Sequence, residues 1–308
     1  MSGPGPHNTG MVVSGGSVTV GGSVNAVQHN GGESPQAGPT RPEASEGRTD
    51  RSADVGILTV LREETTAVVE VLRRAVDHRV EQVYGGAAVH RATFGAEGGP
   101  VRVVATQALE PGTHSAALAY QQLRRRFAPP LVLLVGIAGG VRPDLPVGDV
   151  VLADEVIWYD SRRETEDGPR RRGRTQATAP VLRHRISDFL VRHGTVVDPE
   201  PDRRFHIHRG PIGSGNAVVT DAGSDIRVWL RQTHEKTLAV ETEAGGVAQA
   251  FYEEIADDRA LHGWMTIRGI SDRADRYKGH RDHELASRHA ALVMERLLPY
   301  LRLVEDDR

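Results

Sequence analysis

Thr266-Ile267-Arg268-Gly269-Ile270-Ser271-Asp272 is the stretch whose reading decides the fold. The apolar-rich run from Trp264 to Ile267 predicts a buried strand, followed by a glycine turn and an acid just beyond it. In open α/β sheets, ligands gather outside the carboxyl ends of strands. That rule places Asp272 where a reacting group belongs. Two other segments share the pattern: Glu64 follows the predicted strand Val55–Val60, and Glu241-Thr242-Glu243 follows Leu238–Val240. Three acids beyond three strands predict one site built from distant parts of the chain.

Working outward, the same alternation continues. The strand Val55–Val60 leads into a helix on which Ala67, Val68, Val71, Leu72 and Ala75 recur at helical spacing. Val101–Ala105 predicts a strand, and Thr113–Phe127 a helix ended by Pro129 and Pro130. Leu131–Val135 is continuously apolar, as a strand covered on both faces would be. A further strand is expected over Val150–Ala153, and a last helix over roughly Glu284–Leu303. Strands alternating with helices predict a three-layer α/β domain, with a mostly parallel mixed sheet between helices.

Residues 1–50 read as a separate low-complexity Gly/Ser/Val tail and linker, and residues 51–308 as the folded domain. The tail is expected to be disordered. Within it, Ser14-Gly15-Gly16-Ser17-Val18 and Gly21-Gly22-Ser23-Val24 form a small repeat in which valines alternate with small residues, a strand-like period. A second reading of residues 11–30 is therefore a homotypic assembly motif, because short uncharged segments of this kind stack between chains.

Composition narrows the function. The 308 residues carry 38 Lys+Arg against 41 Asp+Glu, a net charge of −3, so no general affinity for nucleic acid is expected. With no cysteine, a disulfide framework, a thiolate zinc site and a cysteine nucleophile are all excluded. The longest apolar run, Leu131 to Ala138, is too short to span a bilayer, and no secretory signal pattern is visible. A cytoplasmic location without membrane attachment is expected. His206 and His208 alternate like strand residues on one face, but no matched third ligand stands out, so no metal is expected.

Two glycine-containing segments add weak signals of ligand binding. Gly136-Ile137-Ala138-Gly139-Gly140 follows the apolar strand and permits close approach to the backbone. Gly112-Thr113-His114-Ser115-Ala116-Ala117 reads as a helix N-terminus with small hydroxyls. Taken in order with Val147-Gly148-Asp149-Val150-Val151, Val240-Glu241-Thr242-Glu243-Ala244 and Arg268-Gly269-Ile270-Ser271-Asp272-Arg273-Ala274-Asp275, these segments resemble the nucleoside phosphorylase superfamily. The resemblance covers about Asp54 to Leu301. It is nearest to the 5′-methylthioadenosine/S-adenosylhomocysteine nucleosidases and to the nucleosidase-like effector domains of fungal and bacterial immune-type receptors.

The resemblance implies hydrolysis of the N-glycosidic bond of a purine, adenine by expectation, nucleoside or nucleotide, with no cofactor. It makes Asp272 the acid that protonates the leaving purine, Glu64 the carboxylate that activates water, and Glu243 the anchor for the ribose hydroxyls. The division is chemically sound: cleavage builds positive charge on the sugar and negative charge on the base, so an acid, a base and a stabilising carboxylate have distinct tasks. Backbone at Ala138 and Gly139, with Val218 and Val219, is expected to frame base and sugar. Thr242, Glu241, Asn216, Ser271, Arg268 and Lys278 complete the expected substrate-binding set. Of the paired Glu241 and Glu243, one is expected to be structural, and Asp275 to cap the next helix.

Water is favoured over phosphate as nucleophile because Arg62-Glu63-Glu64 replaces the family's phosphate-holding loop, and an acid pair repels phosphate. The 5′ group stays open. Arg162, Arg163, Arg170, Arg171, Arg172 and Arg174 crowd one segment and suit phosphates, while the closest family members take a thioether. A homodimer or larger homo-oligomer is expected. Two rival readings are a phosphate-dependent phosphorylase and a self-assembling signalling effector that binds nucleotide without turnover.

Overall fold

The structure is a computed structural model that describes residues 11–14, 17–20, 52–82, 85–199, 204–256, 263–277 and 279–303. The chain divides into two units, 1–45 and 46–308. In the first, strands β1 (Met11–Ser14) and β2 (Ser17–Val20) pair antiparallel, with Val13 opposite Val18. The alternating valines thus form a hairpin. The rest of the expected tail and assembly segment lies outside the described residues.

The second unit runs β3 (Val55–Thr59), α1 (Arg62–Leu72), β4 (Arg79–Gln82), β5 (Ala88–Ala96), β6 (Gly99–Gln107), α2 (Thr113–Phe127), β7 (Leu131–Gly140) and β8 (Val150–Trp158). It continues with β9 (Arg162–Thr165), β10 (Gly168–Arg171), β11 (Arg174–Ala177), α3 (Pro180–His193), β12 (Val196–Val197), β13 (Phe205–Ser214) and α4 (Asp225–Thr233). Last come β14 (Ala239–Glu241), α5 (Ala244–Glu254), β15 (Gly263–Asp272), α6 (His283–Leu297) and a 3-10 turn over Leu298–Leu301.

The architecture is a mixed central sheet flanked by helices. Its path is β11-β8-β13-β14-β7-β3-β6-β5-β4, and β15 pairs with both β7 and β8. That double pairing closes β8, β13, β14, β7 and β15 into a ring. β6, β3, β7 and β15 run parallel, while β13 and β14 run antiparallel to β7. Alternation along β3 explains the layers, since successive side chains point to opposite faces. Val55 and Ile57 join a core with α1, α3 and α6, whereas Leu58 joins one with α2 and α5. β7 is buried at all ten positions, as its apolar run predicts.

Four local expectations change. No turn follows Ile267: β15 continues through Gly269 to Asp272. Gly269 instead lets α6 approach, because a methyl group there would strike the Ala286 backbone. The Gly136–Gly140 segment is likewise strand, held by ladder bonds to β14 and β15. The final helix stops at Leu297, before the 3-10 turn containing Pro299. Asp275 caps only a local turn, accepting from Tyr277 N at 2.9 Å, and Asp282 is the residue preceding α6.

Candidate active site

The site forms where β7 outruns β3. Leu58 pairs with Leu134, so β3 ends beside the middle of β7. Beyond that level, β14 arrives from the opposite direction, with Val240 against Gly139, and Ile270 of β15 lies against Ala138. The carboxylates converge on this buried second half of β7. Glu64 arrives on the first turn of α1, Glu241 ends β14, Glu243 precedes α5, and Asp272 ends β15.

Arg268 organises three of them. It is fully buried in β15, with Nη1 3.7 Å from Glu64 Oε1 and Nη2 3.1 Å from Glu243 Oε2. The same Nη2 donates a short hydrogen bond to Glu241. Gly136 makes this possible, since a methyl group there would strike both Glu64 Oε1 and Arg268 Nη1. Arg268 therefore holds the carboxylates from behind the cleft wall. It does not line the cleft as the expected substrate ligand: the side chain is fully buried, Glu241 and Glu243 share its Nη2, and its Nε and Nη1 have no hydrogen-bond partner among the described residues.

Each acid has a second set of constraints. Glu64 Oε2 accepts from Val60 N at 2.8 Å and Leu61 N at 2.9 Å, and Oε1 accepts from Ile137 N at 2.9 Å. Burial pushes its carboxyl up from 4.5 to about 7, outweighing the pull of Arg268 and these N–H groups, while Glu243 adds to the rise. Glu241 accepts from Glu243 N at 3.1 Å and Ala244 N at 2.9 Å, so it caps the start of α5. Burial raises its carboxyl as well, against the opposing effect of Arg268. Glu243 Oε1 accepts from Gly112 N at 3.2 Å and from the Thr242 hydroxyl. Asp272 Oδ1 accepts from Ala274 N at 2.8 Å, and Oδ2 accepts from Ser271 Oγ at 2.9 Å.

A cleft of about 270 Å³ opens in front of this cluster. Among the expected site residues, Glu64, Glu241, Thr242, Glu243, Ala138, Gly139, Val218, Val219 and Ser271 line it. Asp272 is buried and is not a lining residue; it neighbours two that are, Ser271 in sequence and Gly139, where a methyl group would lie 2.9 Å from Asp272 Oδ1. Asn216 is displaced from the expected role. Its Oδ1 accepts from Thr113 N at 3.0 Å and its Nδ2 donates to Asp160 at 2.8 Å, so it clips α2 to the β13–α4 loop. Lys278 lies outside the described residues.

Sequence reasoning missed Tyr159, Pro111, His280 and His283, which also line the cleft. Tyr159 directly follows β8, and its hydroxyl donates to Ala217 O at 2.9 Å, supporting the loop that carries Val218. Pro111 adjoins the quoted Gly112 segment, a signal that was available. The arginine-rich segment forms the β9–β10 hairpin and the start of β11, and none of its six arginines lines the cleft. His206 and His208 serve Asp149 instead of a metal: His208 Nε2 lies 2.6 Å from Asp149 Oδ2, and the His206 N–H bonds the other oxygen at 2.9 Å. No group of metal-ligating side chains occurs among the described residues.

Residues 54–302 match the family model described as the phosphorylase superfamily. The chain belongs to the phosphorylase superfamily. Within that superfamily it is 26% identical over 257 residues to an ATP nucleosidase, Cap17, of Escherichia coli, an alignment covering 77% of this chain and 49% of that protein. The chain thus spans about half the length of that relative. It is 27% identical over 270 residues to a 5′-methylthioadenosine/S-adenosylhomocysteine nucleosidase of Mycobacterium bovis, covering 80% of this chain and 97% of that one. The fold matches the Neisseria meningitidis 5′-methylthioadenosine/S-adenosylhomocysteine nucleosidase with a TM-score of 0.62 at 21% identity, covering 80% and 98% of the two chains. Helicobacter pylori futalosine hydrolase gives the same TM-score at 20% identity, covering 79% and 96%. No helix among the described residues is long and apolar enough to cross a membrane.

Proposed function

We propose that the protein hydrolyses the N-glycosidic bond of an adenine nucleoside or nucleotide, releasing adenine and the free sugar. The observation that carries this reading is the convergence of Glu64 and Glu243 on one cleft, tied to the same buried Arg268, with Asp272 next to the lining residues Ser271 and Gly139. Both the ATP nucleosidase and the methylthioadenosine nucleosidase among its relatives support the adenine assignment.

In the proposed reaction, water attacks C1′ as the bond to the base breaks. Glu64 takes the proton from that water, and Asp272 delivers one to the departing purine. The Ser271 hydroxyl can donate or accept, so its contact with Asp272 serves both protonation states. Glu243 bonds the ribose hydroxyls and opposes the positive charge growing on the sugar. Arg268 keeps the three acids from repelling one another apart. Tyr159, fully buried at the cleft wall, bonds the loop that carries Val218 and Val219, which with the Ala138–Gly139 backbone frame base and sugar.

Water is preferred to phosphate for an electrostatic reason. The described cleft-lining residues include acids but no arginine or lysine, and Arg62 is exposed. An incoming phosphate would meet carboxylates without a balancing cation. The test is chromatography of products from methylthioadenosine, adenosine and ATP, with and without phosphate. Adenine with free sugar is expected, and Asp272→Asn should slow its release by about a hundredfold or more. Sugar phosphate as the product would establish phosphorolysis; undiminished release in the variant would remove the acid assignment.

The same reading includes a homo-oligomer, with residues 11–30 adding higher-order assembly. The β1–β2 hairpin supports that role. A chain starting at Ser52 should retain its smaller oligomer in sedimentation and lose larger species. Unchanged large species would exclude the tail.

A further inference from the structure

A second and larger cavity, about 540 Å³, lies between α3, the end of α6 with the following 3-10 turn, and the turn joining β5 to β6. α6 connects the two places. Its first turn contributes His283 to the cleft, and its last turn contributes Arg296 to this cavity, roughly 20 Å away at the rise of an α-helix.

Four arginines line the cavity. Arg185 and Arg192 stand two turns apart on α3, Arg296 ends α6, and Arg302 follows the 3-10 turn. The opposing acids are Glu97 and Asp188, leaving a formal charge of four minus two, or +2. Glu97 neutralises little: it meets Arg192 at 3.5 Å, with both side chains mostly exposed. Among the described residues, Arg296 and Arg302 form no ion pair.

The wall between them is built. Tyr300 donates to or accepts from His193 Nε2 at 2.9 Å, and Arg192 lies 5.8 Å above the Tyr300 ring. Phe189 packs edge-on against the same ring. The Gly98–Gly99 turn folds tightly around Arg302, so that a methyl on Gly98 would sit 2.9 Å from Nη1. Arg302, held by the Gly98–Gly99 turn, has the least freedom left to lose on binding. Planar guanidinium forks match phosphate oxygens in pairs, and several phosphates in a row fit four of them better than a single anion.

We propose that this cavity is a binding site for a short oligophosphate, whether free or as the phosphate chain of a nucleotide. It is separate from the carboxylate cleft and does not depend on what that cleft catalyses. The probe is inorganic tripolyphosphate, which has no glycosidic bond and cannot be a substrate. Titration calorimetry on the full chain should give one site per chain, with binding weakened by added salt. In Arg296→Gln/Arg302→Gln, affinity should fall at least about tenfold, since each lost charge-assisted contact is worth that much or more. Saturating adenine, which addresses only the cleft, should leave tripolyphosphate affinity unchanged.

If the double variant unfolds, Arg192→Gln provides the same test with a smaller loss of affinity. A pyrimidine nucleoside triphosphate separates the two sources. Affinity equal to tripolyphosphate assigns the phosphate chain as the whole ligand, and tighter binding assigns a nucleotide. Absence of binding at millimolar tripolyphosphate, unchanged affinity in a folded double variant, or displacement by adenine would each overturn the proposal.

Discussion

Raising the pH from about 5 to about 9 should move activity and stability in opposite directions, because both depend on the Glu64 carboxyl. Burial lifts that group from 4.5 to about 7. The difference, about two and a half pH units, corresponds to about 3 kcal/mol favouring the protonated form in the fold. Between those two values the native protein holds a proton that the unfolded chain has released. This contribution to stability is complete below about pH 4.5, declines as pH rises, and is lost above about pH 7. The proposed base works only when ionised. At pH 6 about one molecule in ten carries the ionised form, so the Glu64 factor in kcat/KM should be about tenfold below its fully ionised value, and about tenfold lower again at pH 5. The assay is chromatographic adenine release across the range, with thermal unfolding in the same buffers. Glu64→Gln should lower the rate by roughly 10²–10⁴-fold and remove this group's share of the stability slope. A kcat/KM that stays flat from about pH 5.5 to about pH 8, or full activity in Glu64→Gln, would refute the reasoning.

Arg268→Met should leave three buried acids without their shared cation. A loss of about 3–5 kcal/mol is expected, or roughly 6–20 °C in unfolding midpoint for a chain of this size. Removing the cation raises Glu64 and Glu241 further, so the deficit should shrink at about pH 5 and grow at about pH 8; equal deficits at both would contradict the role of charge. Gly136→Ala pushes a methyl group between Glu64 and Arg268. Destabilisation of about 1–3 kcal/mol should accompany a fall in kcat of up to about a hundredfold from the displaced base. Crystallography of that variant would show Glu64 in its original place if this account is wrong.

Much of the scaffold was legible from local pattern. Thr113–Phe127 emerged with its predicted ends because the adjoining prolines cannot continue a helix. β7 was visible as an apolar run, since a strand covered on both faces must be apolar throughout. Strand ends were harder. Glycines at 136, 139, 140 and 269 suggested loops, yet they are ladder residues whose missing side chains admit Glu64, Asp272 and α6. Nothing local separates a glycine that turns the chain from one that makes room for a neighbour.

By itself, then, the sequence determined the α/β alternation and, through its resemblance to a family, which acids to watch. Tertiary structure decided their company. Closure of β8, β13, β14, β7 and β15 into a ring put Arg268 among Glu64, Glu241 and Glu243 and turned it from a ligand candidate into their common counter-charge. It also brought Tyr159 and His283 to the cleft and sent Asn216 to anchor α2. The physical reason is range. Periodicity and turn chemistry act over a few residues, whereas the charge on a buried group is set by whatever the fold carries to within a few ångströms.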